Sequence, residues 1–240
     1  MKKLLAGLSF CLLAACASNP TNPQDPYESF NRSVYKFNRG LDKAVLKPVA
    51  QGYKAITPDP VEKGISNFFA NLGEIGNIVN NLLQFKLLDA SSDTGRFLIN
   101  STLGLGGLFD PATAMGLEAS DEDFGQTLAV WGLDSGPYLM LPILGPTTLR
   151  GVAGLPADNY LNPIRYLEDE SARLGLRGIH QIDRRAQLLD FEEQLESAID
   201  EYSFVRDIYL QNRNFKVHDG DIPLDDEFEE CDPEFEDCDF

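Results

Sequence analysis

Reactive side chains are scarce in this chain. It has four cysteines: Cys11 and Cys16 near the start, Cys231 and Cys238 near the end. None lies between, so the body offers no thiol nucleophile and no Cys-x-x-Cys metal pair. There are two histidines, His180 and His218. A Ser-His-Asp arrangement would have to use one of them, yet no Gly-x-Ser-x-Gly elbow and no His-Glu-x-x-His pair occurs. Gly104-Leu105-Gly106-Gly107 lacks the lysine and spacing of a phosphate loop, and its glycines read as bending or close-packing positions. The expectation is no catalytic site, no metal and no cofactor.

Cationic charge is also short. The net charge is −18. From Asp219 to Phe240 there are twelve Asp or Glu and no Lys or Arg, so the remainder carries −6. Nucleic acid is excluded as a partner because phosphate neutralisation needs Lys and Arg. After the leader no run of 18 uncharged apolar residues occurs, so no later helix spans a bilayer. The series of alternating ten-residue segments that a barrel needs is missing as well.

What is present begins at the N-terminus. Met1-Lys2-Lys3 is basic, and Leu4 to Ala15 is uncharged and apolar. That run is shorter than the roughly 20 residues of a membrane span and reads as a signal peptide. It ends Leu13-Ala14-Ala15-Cys16, a lipobox. Cys16 is therefore the expected lipidation site and the first residue of the mature protein. Several acyl chains hold firmly where one binds marginally, at about 0.8 kcal/mol per buried CH₂. Ala17, rather than Asp, favours export to the outer membrane. The expected location is lipid-anchored at that membrane, facing the periplasm. Residues 1–15 are the leader, 16–26 a proline-rich tether, 27–216 a helical domain and 217–240 an acidic tail. In an oxidising compartment Cys231 and Cys238 could close a small disulfide loop.

The body is 43% hydrophobic over the whole chain, enough for a core. Phe30, Val34, Phe37, Leu41 and Val45 form one helical stripe, which Pro48 is expected to end near Lys47. Phe68, Leu72, Ile75, Val79 and Leu82 form a second, after Pro58-Asp59-Pro60. Residues 168–212 read as two helices or one long broken one. Two segments differ in kind: Leu103 to Phe109 and Tyr138 to Leu144 are apolar but interrupted by Gly or Pro, and neither makes a clean helix or strand. They either fill a core or touch lipid. Asp121, Glu122 and Asp123 read as an exposed loop.

Several strings, taken in order, resemble the MlaA (VacJ) family of phospholipid-transport lipoproteins. They are Asp25-Pro26-Tyr27-Glu28-Ser29-Phe30-Asn31-Arg32, Phe37-Asn38, Pro48-Val49-Ala50, and Gly64 to Leu72. Then come Arg96 to Ser101, Phe124-Gly125-Gln126-Thr127-Leu128, Gly136-Pro137-Tyr138, Leu141-Pro142, Gly145-Pro146 with Arg150 beyond, and Arg206 to Gln211. Each string is weak alone, and the ordered set is specific. It covers about residues 25–215.

The resemblance implies an all-α, ring-shaped multi-helix domain with an amphipathic central channel and one short hairpin, between Leu108 and Asp123. It implies a non-enzymatic protein that removes mislocalised phospholipids from the outer leaflet. The implied partners are phospholipids, an outer-membrane trimeric porin and a soluble periplasmic lipid-binding protein. The hinge segment of the family matches Gly132 to Gly136, with Gly132 and Gly136 as hinge residues and Asp134 where some relatives have glycine. Asn67 and Asn71 offer a polar lining for such a channel, and Phe68, Phe69 and Leu72 a greasy one. Asn77, Asn80, Asn81 and Asn100 are further uncharged polar candidates, though helix capping and turns are expected to use at least half of these asparagines. Two other readings stay open beside this one: a membrane-anchored lipid-modifying enzyme using His180, and a structural porin adaptor.

Overall fold

The computed structural model describes residues 22–221. The leader, Cys16, and the pair Cys231 and Cys238 lie outside the described residues, as does the acidic tail beyond Asp221.

The chain opens with helix α1 (Glu28–Leu41), a π-helical turn (Asp42–Leu46) and helix α2 (Lys47–Ile56). These run on without a break, so Pro48 does not end the helix. The Lys47 N–H donates to the Asp42 carbonyl five residues back. That wider turn shifts the carbonyls away from the pyrrolidine ring, which would otherwise collide with the carbonyl four residues back. The helix stops instead at Thr57, extended at φ −96° and ψ 119°, the conformation that a following proline (Pro58) demands.

Helix α3 (Asp59–Leu83) and helix α4 (Leu87–Thr102) form an antiparallel hairpin. Three polar contacts run along its seam. Asn71 Nδ2 donates to Ser101 Oγ at 3.0 Å. Arg96 Nε meets Glu74 Oε1 at 2.8 Å. Asn81 Nδ2 donates to Asp93 Oδ2 at 2.7 Å. Asn71 and Asn81 thus tie α3 to α4 through their side chains rather than capping a helix. Beyond α4 the chain crosses the seam at Gly107, where φ is +93° and a Cβ would stand 2.6 Å from the Asn71 Cβ. Only glycine fits there.

Helix α5 (Pro111–Ala114) is one turn, capped by Asp110, whose carboxylate accepts the Thr113 N–H. It occupies the stretch where a hairpin was expected. The hairpin lies later: strands β1 (Tyr138–Leu141) and β2 (Gly145–Thr148) are antiparallel, with Tyr138 opposite Thr148 and Leu141 opposite Gly145. The Tyr138 segment is thus a strand after all. Pro142 falls in the turn, and a two-stranded ribbon has only edges, where proline is tolerated. Helix α6 (Phe124–Val130) precedes the hairpin, and helix α7 (Leu149–Leu161) follows it. The charged stretch makes three helices: α8 (Glu170–Gln187), α9 (Glu192–Ser197) and α10 (Glu201–Val217). Asp169 and Asp200 cap the first and third, each accepting a backbone N–H two residues on.

Among the described residues the apolar core cluster is small: Tyr138, Met140 and Tyr202, with Val34, Tyr35, Val205, Tyr209 and Leu210 packed against it. Asn31 pins the hairpin to α1. Its amide donates to the Tyr138 carbonyl at 3.0 Å and accepts the Met140 N–H at 2.9 Å. Asn31 is the buried residue of α1, whereas Phe30, Phe37 and Val45 of the predicted stripe face outward. The inversion is general. Among the described residues seventeen polar or charged side chains are buried against nine hydrophobic ones. The polar interior therefore organises the fold, and much of the apolar surface remains outside.

Candidate functional site

Along α3, residues 69, 72, 73, 76 and 80 recur at helical spacing and share one face. That face borders a cavity of about 240 Å³. Its lining is mixed: Phe69, Leu72, Leu161 and Ile164 are apolar, and Asn80, Glu122, Asp123, Asp158 and Asn162 are polar. Gly73 and Gly76 also line it. His180 of α8 lines it too, stacked on Phe69 with ring centroids 4.4 Å apart and planes 15° from parallel. Burial, with Arg184 nearby, lowers the His180 pKa.

Residues 121–123 form a loop as expected from sequence, with Asp121 exposed, but Glu122 and Asp123 are partly buried. Glu122 accepts from Gln84 Nε2 at 2.7 Å and from Lys86 Nζ at 3.2 Å, and burial raises its pKa. Asp123 caps α6 and takes both terminal nitrogens of Arg213. Burial would raise Asp123, but Arg213 holds it below the usual carboxylate range. Asp158 accepts the Phe124 N–H at 2.8 Å. Burial pushes it up to about 6 despite that bond, and the Asp123 charge adds to the rise. Asn80 Oδ1 accepts from Thr127 Oγ1 at 2.9 Å.

Of the five lining candidates named from sequence, Phe69 and Leu72 border this cavity. Phe68 packs edge-on against Phe69, with centroids 5.4 Å apart. Asn71 points into the α3–α4 seam, and Asn67 Nδ2 donates to the Leu108 carbonyl at 3.2 Å. Asp158, Asn162 and Ile164 were missed. They come from the end of α7 and the 3-10 turn after it (Pro163–Tyr166), and no local pattern links them to α3.

Gly132 and Gly136 both have positive φ, +89° and +64°. At Gly136 a Cβ would stand 2.9 Å from the Leu149 Cβ, whereas Gly132 has open space. Gly132 borders a second, larger cavity of about 730 Å³ between this segment and α10.

Apolar side chains lie outward around the molecule. Phe85, Leu87 and Leu88 project at the α3–α4 turn. Leu103, Leu105 and Phe109 project beyond the far end of α4, and Ile143 and Leu144 at the hairpin turn. The Gly- and Pro-interrupted segments therefore supply surface as well as core. No described helix is long and apolar enough to cross a membrane.

Buried polar groups, exposed leucines and phenylalanines, and a cavity lined by both apolar and polar side chains are features that suit contact with lipid. The comparisons agree. The chain belongs to the MlaA lipoprotein family, whose profile matches residues 23–216. It is 36% identical over 231 residues to the intermembrane phospholipid transport system lipoprotein MlaA of Escherichia coli (strain K12), covering 92% of each chain. It is 39% identical over 195 residues to an uncharacterized protein of Rickettsia typhi, covering 80% of this chain and 78% of that one. A solved structure concerned with maintenance of bacterial outer membrane lipid asymmetry superposes with a TM-score of 0.72 at 37% identity, covering 80% of this chain and 98% of the other.

Proposed function

We propose that this chain is an outer-membrane lipoprotein that withdraws mislocalised phospholipids from the outer leaflet and so maintains lipid asymmetry. Anchored through Cys16, it sits in the inner leaflet facing the periplasm. It works beside a trimeric porin and hands lipid to a soluble periplasmic lipid-binding protein. It is not an enzyme.

The observation that carries this reading is the inverted burial. Exposed leucines and phenylalanines surround a polar interior, with no membrane-spanning helix among the described residues. Such a body rests sideways in one leaflet. The cavity beside α3 then lines part of the lipid path with apolar Phe69, Leu72 and Leu161 beside polar Asp158 and Asn162. Two acyl chains exposed to water would cost on the order of 20 kcal/mol at roughly 0.8 kcal/mol per CH₂. A path with both surfaces removes most of that cost, and downhill movement needs no nucleotide. Gly132 and Gly136 act as the hinge that opens the path.

The test is the phospholipid content of the outer leaflet in cells lacking the protein, with rescue by wild type and by Cys16→Ala. A rise in the null strain, reversed only by the form that keeps Cys16, is expected. Normal outer-leaflet lipid in the null strain rules the reading out.

A further inference from the structure

Arg150, at the start of α7, is a buried cation with no ion-pair partner among the described residues. Its side chain lines the 730 Å³ cavity, and the residue is 8% exposed. Nη1 donates to the Leu133 carbonyl at 2.9 Å, while Nε has no hydrogen-bond partner. The contrast with other buried arginines is plain. Arg96 meets Glu74 and Asp110, and Arg213 meets Asp123. Burying a charge is costly unless it is paired, so an unpaired guanidinium facing a cavity is an incomplete site.

The surroundings sharpen that deficit. Arg213 lines the same cavity, and its Nε is also unpartnered. Burial, with the Arg213 charge beside it, lowers the Arg150 pKa, whereas Arg96 and Arg213 are raised. The acidic residues at the cavity do not supply a partner. Asp134 is exposed, and Asp207 accepts from Arg206 at 2.8 Å. Gln211 and Asn214 of α10 add neutral hydrogen-bonding groups to the wall. A cavity of this size accommodates a small ligand whole. A planar guanidinium facing it suits the oxygens of a phosphate group.

We propose that this cavity is a phosphate-recognising site with Arg150 as its principal ligand, and that it takes the phosphodiester of a phospholipid headgroup. The assignment of the phosphate to a lipid rests on the transport reading above. The arginine also couples the site to the hinge segment. Its side chain holds the Leu133 carbonyl, and its backbone N–H donates to the Ser135 carbonyl at 3.1 Å. Both partners lie between Gly132 and Gly136, so an anion drawing on Arg150 acts directly on that segment.

The experiment uses the full lipidated protein in neutral detergent. It is titrated with glycerophosphoglycerol, a soluble headgroup diester, and separately with inorganic phosphate. Two readouts are taken: binding by calorimetry and the NMR signal of the Arg150 Nε–H. The expected result is saturable diester binding that shifts this signal and weakens by about tenfold or more in Arg150→Gln. Arg150→Lys should fall between the two. Tighter binding of the diester assigns the site to a headgroup, and equal binding of inorganic phosphate assigns it to free phosphate. An unmoved Nε–H signal with both probes overturns the proposal without recourse to any variant, as does undiminished binding in a folded Arg150→Gln. The outer-leaflet lipid assay separates the two failures. Lipid accumulation in the null strain without phosphate binding sinks this site alone, and binding without accumulation sinks the transport reading alone.

Discussion

Glu74 and Arg96 meet at 2.8 Å between α3 and α4, each with 3% of its side chain exposed. Arg96 also holds Asp110 at 3.1 Å, Thr113 at 3.0 Å and the Leu117 carbonyl at 2.6 Å. One guanidinium thus fastens the α3–α4 hairpin to the loop around α5. Removing one partner of a buried pair typically costs about 3–5 kcal/mol because a charge is stranded. Glu74→Ala is expected to cost the lower part of that range, since Asp110 still pairs with Arg96. Arg96→Met should cost more, because it strips partners from Glu74 and Asp110 together. Denaturant midpoints in detergent measure both, and equal midpoints for the two variants would contradict this division.

Asp158 makes the cavity sensitive to pH. Its folded pKa is raised to about 6 from 3.8, so the folded state holds its proton more tightly than the unfolded state. The associated stability is fully present below pH 3.8 and is lost as the pH rises through about 6. Asp158→Asn should be more stable than wild type at pH 7.5 and lack this component of the pH dependence. The comparison is a series of unfolding curves from pH 4 to 7.5 for both proteins. Parallel dependences would show that Asp158 is not the titrating group.

Gly132 and Gly136, the proposed hinge, should differ in what they tolerate. A positive φ costs an alanine about 1–2 kcal/mol at either position. Gly136→Ala should cost more than Gly132→Ala, since its Cβ also meets Leu149 at 2.9 Å. Proline at either position demands φ near −65° and should disrupt the segment rather than lock it. Thermal unfolding ranks the variants, and outer-leaflet phospholipid in complemented cells reports the hinge role.

Leu88 is 85% exposed at the α3–α4 turn, beside exposed Leu87. Inserted into a bilayer, each leucine is worth up to about 1.5–3 kcal/mol. Leu87→Ser with Leu88→Ser should leave helical content unchanged and weaken vesicle association of the unlipidated Cys16→Ala protein. Flotation with phosphatidylethanolamine and phosphatidylglycerol vesicles measures this. Undiminished flotation would remove the turn from the membrane-facing surface.

Helical periodicity located α1, α3 and the charged C-terminal helices because 3.6-residue spacing is a local property of the chain. It did not locate the hairpin. Leu139, Met140 and Leu141 pair with Thr147, Pro146 and Gly145, and the last two have little strand propensity of their own. Asn31 holds that ribbon from more than a hundred residues away. The continuation of the helix through Pro48 was hidden for a related reason, since a π turn is visible only in the hydrogen bonds themselves.

Composition and ordered motifs were enough to establish the family, the helical class and the shortage of catalytic residues. Those depend on which residues occur and in what order. The direction in which each stripe faces was left to the tertiary structure. A period of 3.6 says that Phe30 and Phe37 share a face and says nothing about whether that face meets protein or lipid. Likewise Phe69, Asp158 and His180 lie far apart in the chain and line one cavity only because α3, α7 and α8 meet there. Spacing along the chain specifies an apolar face, and the packing of neighbours decides what that face touches.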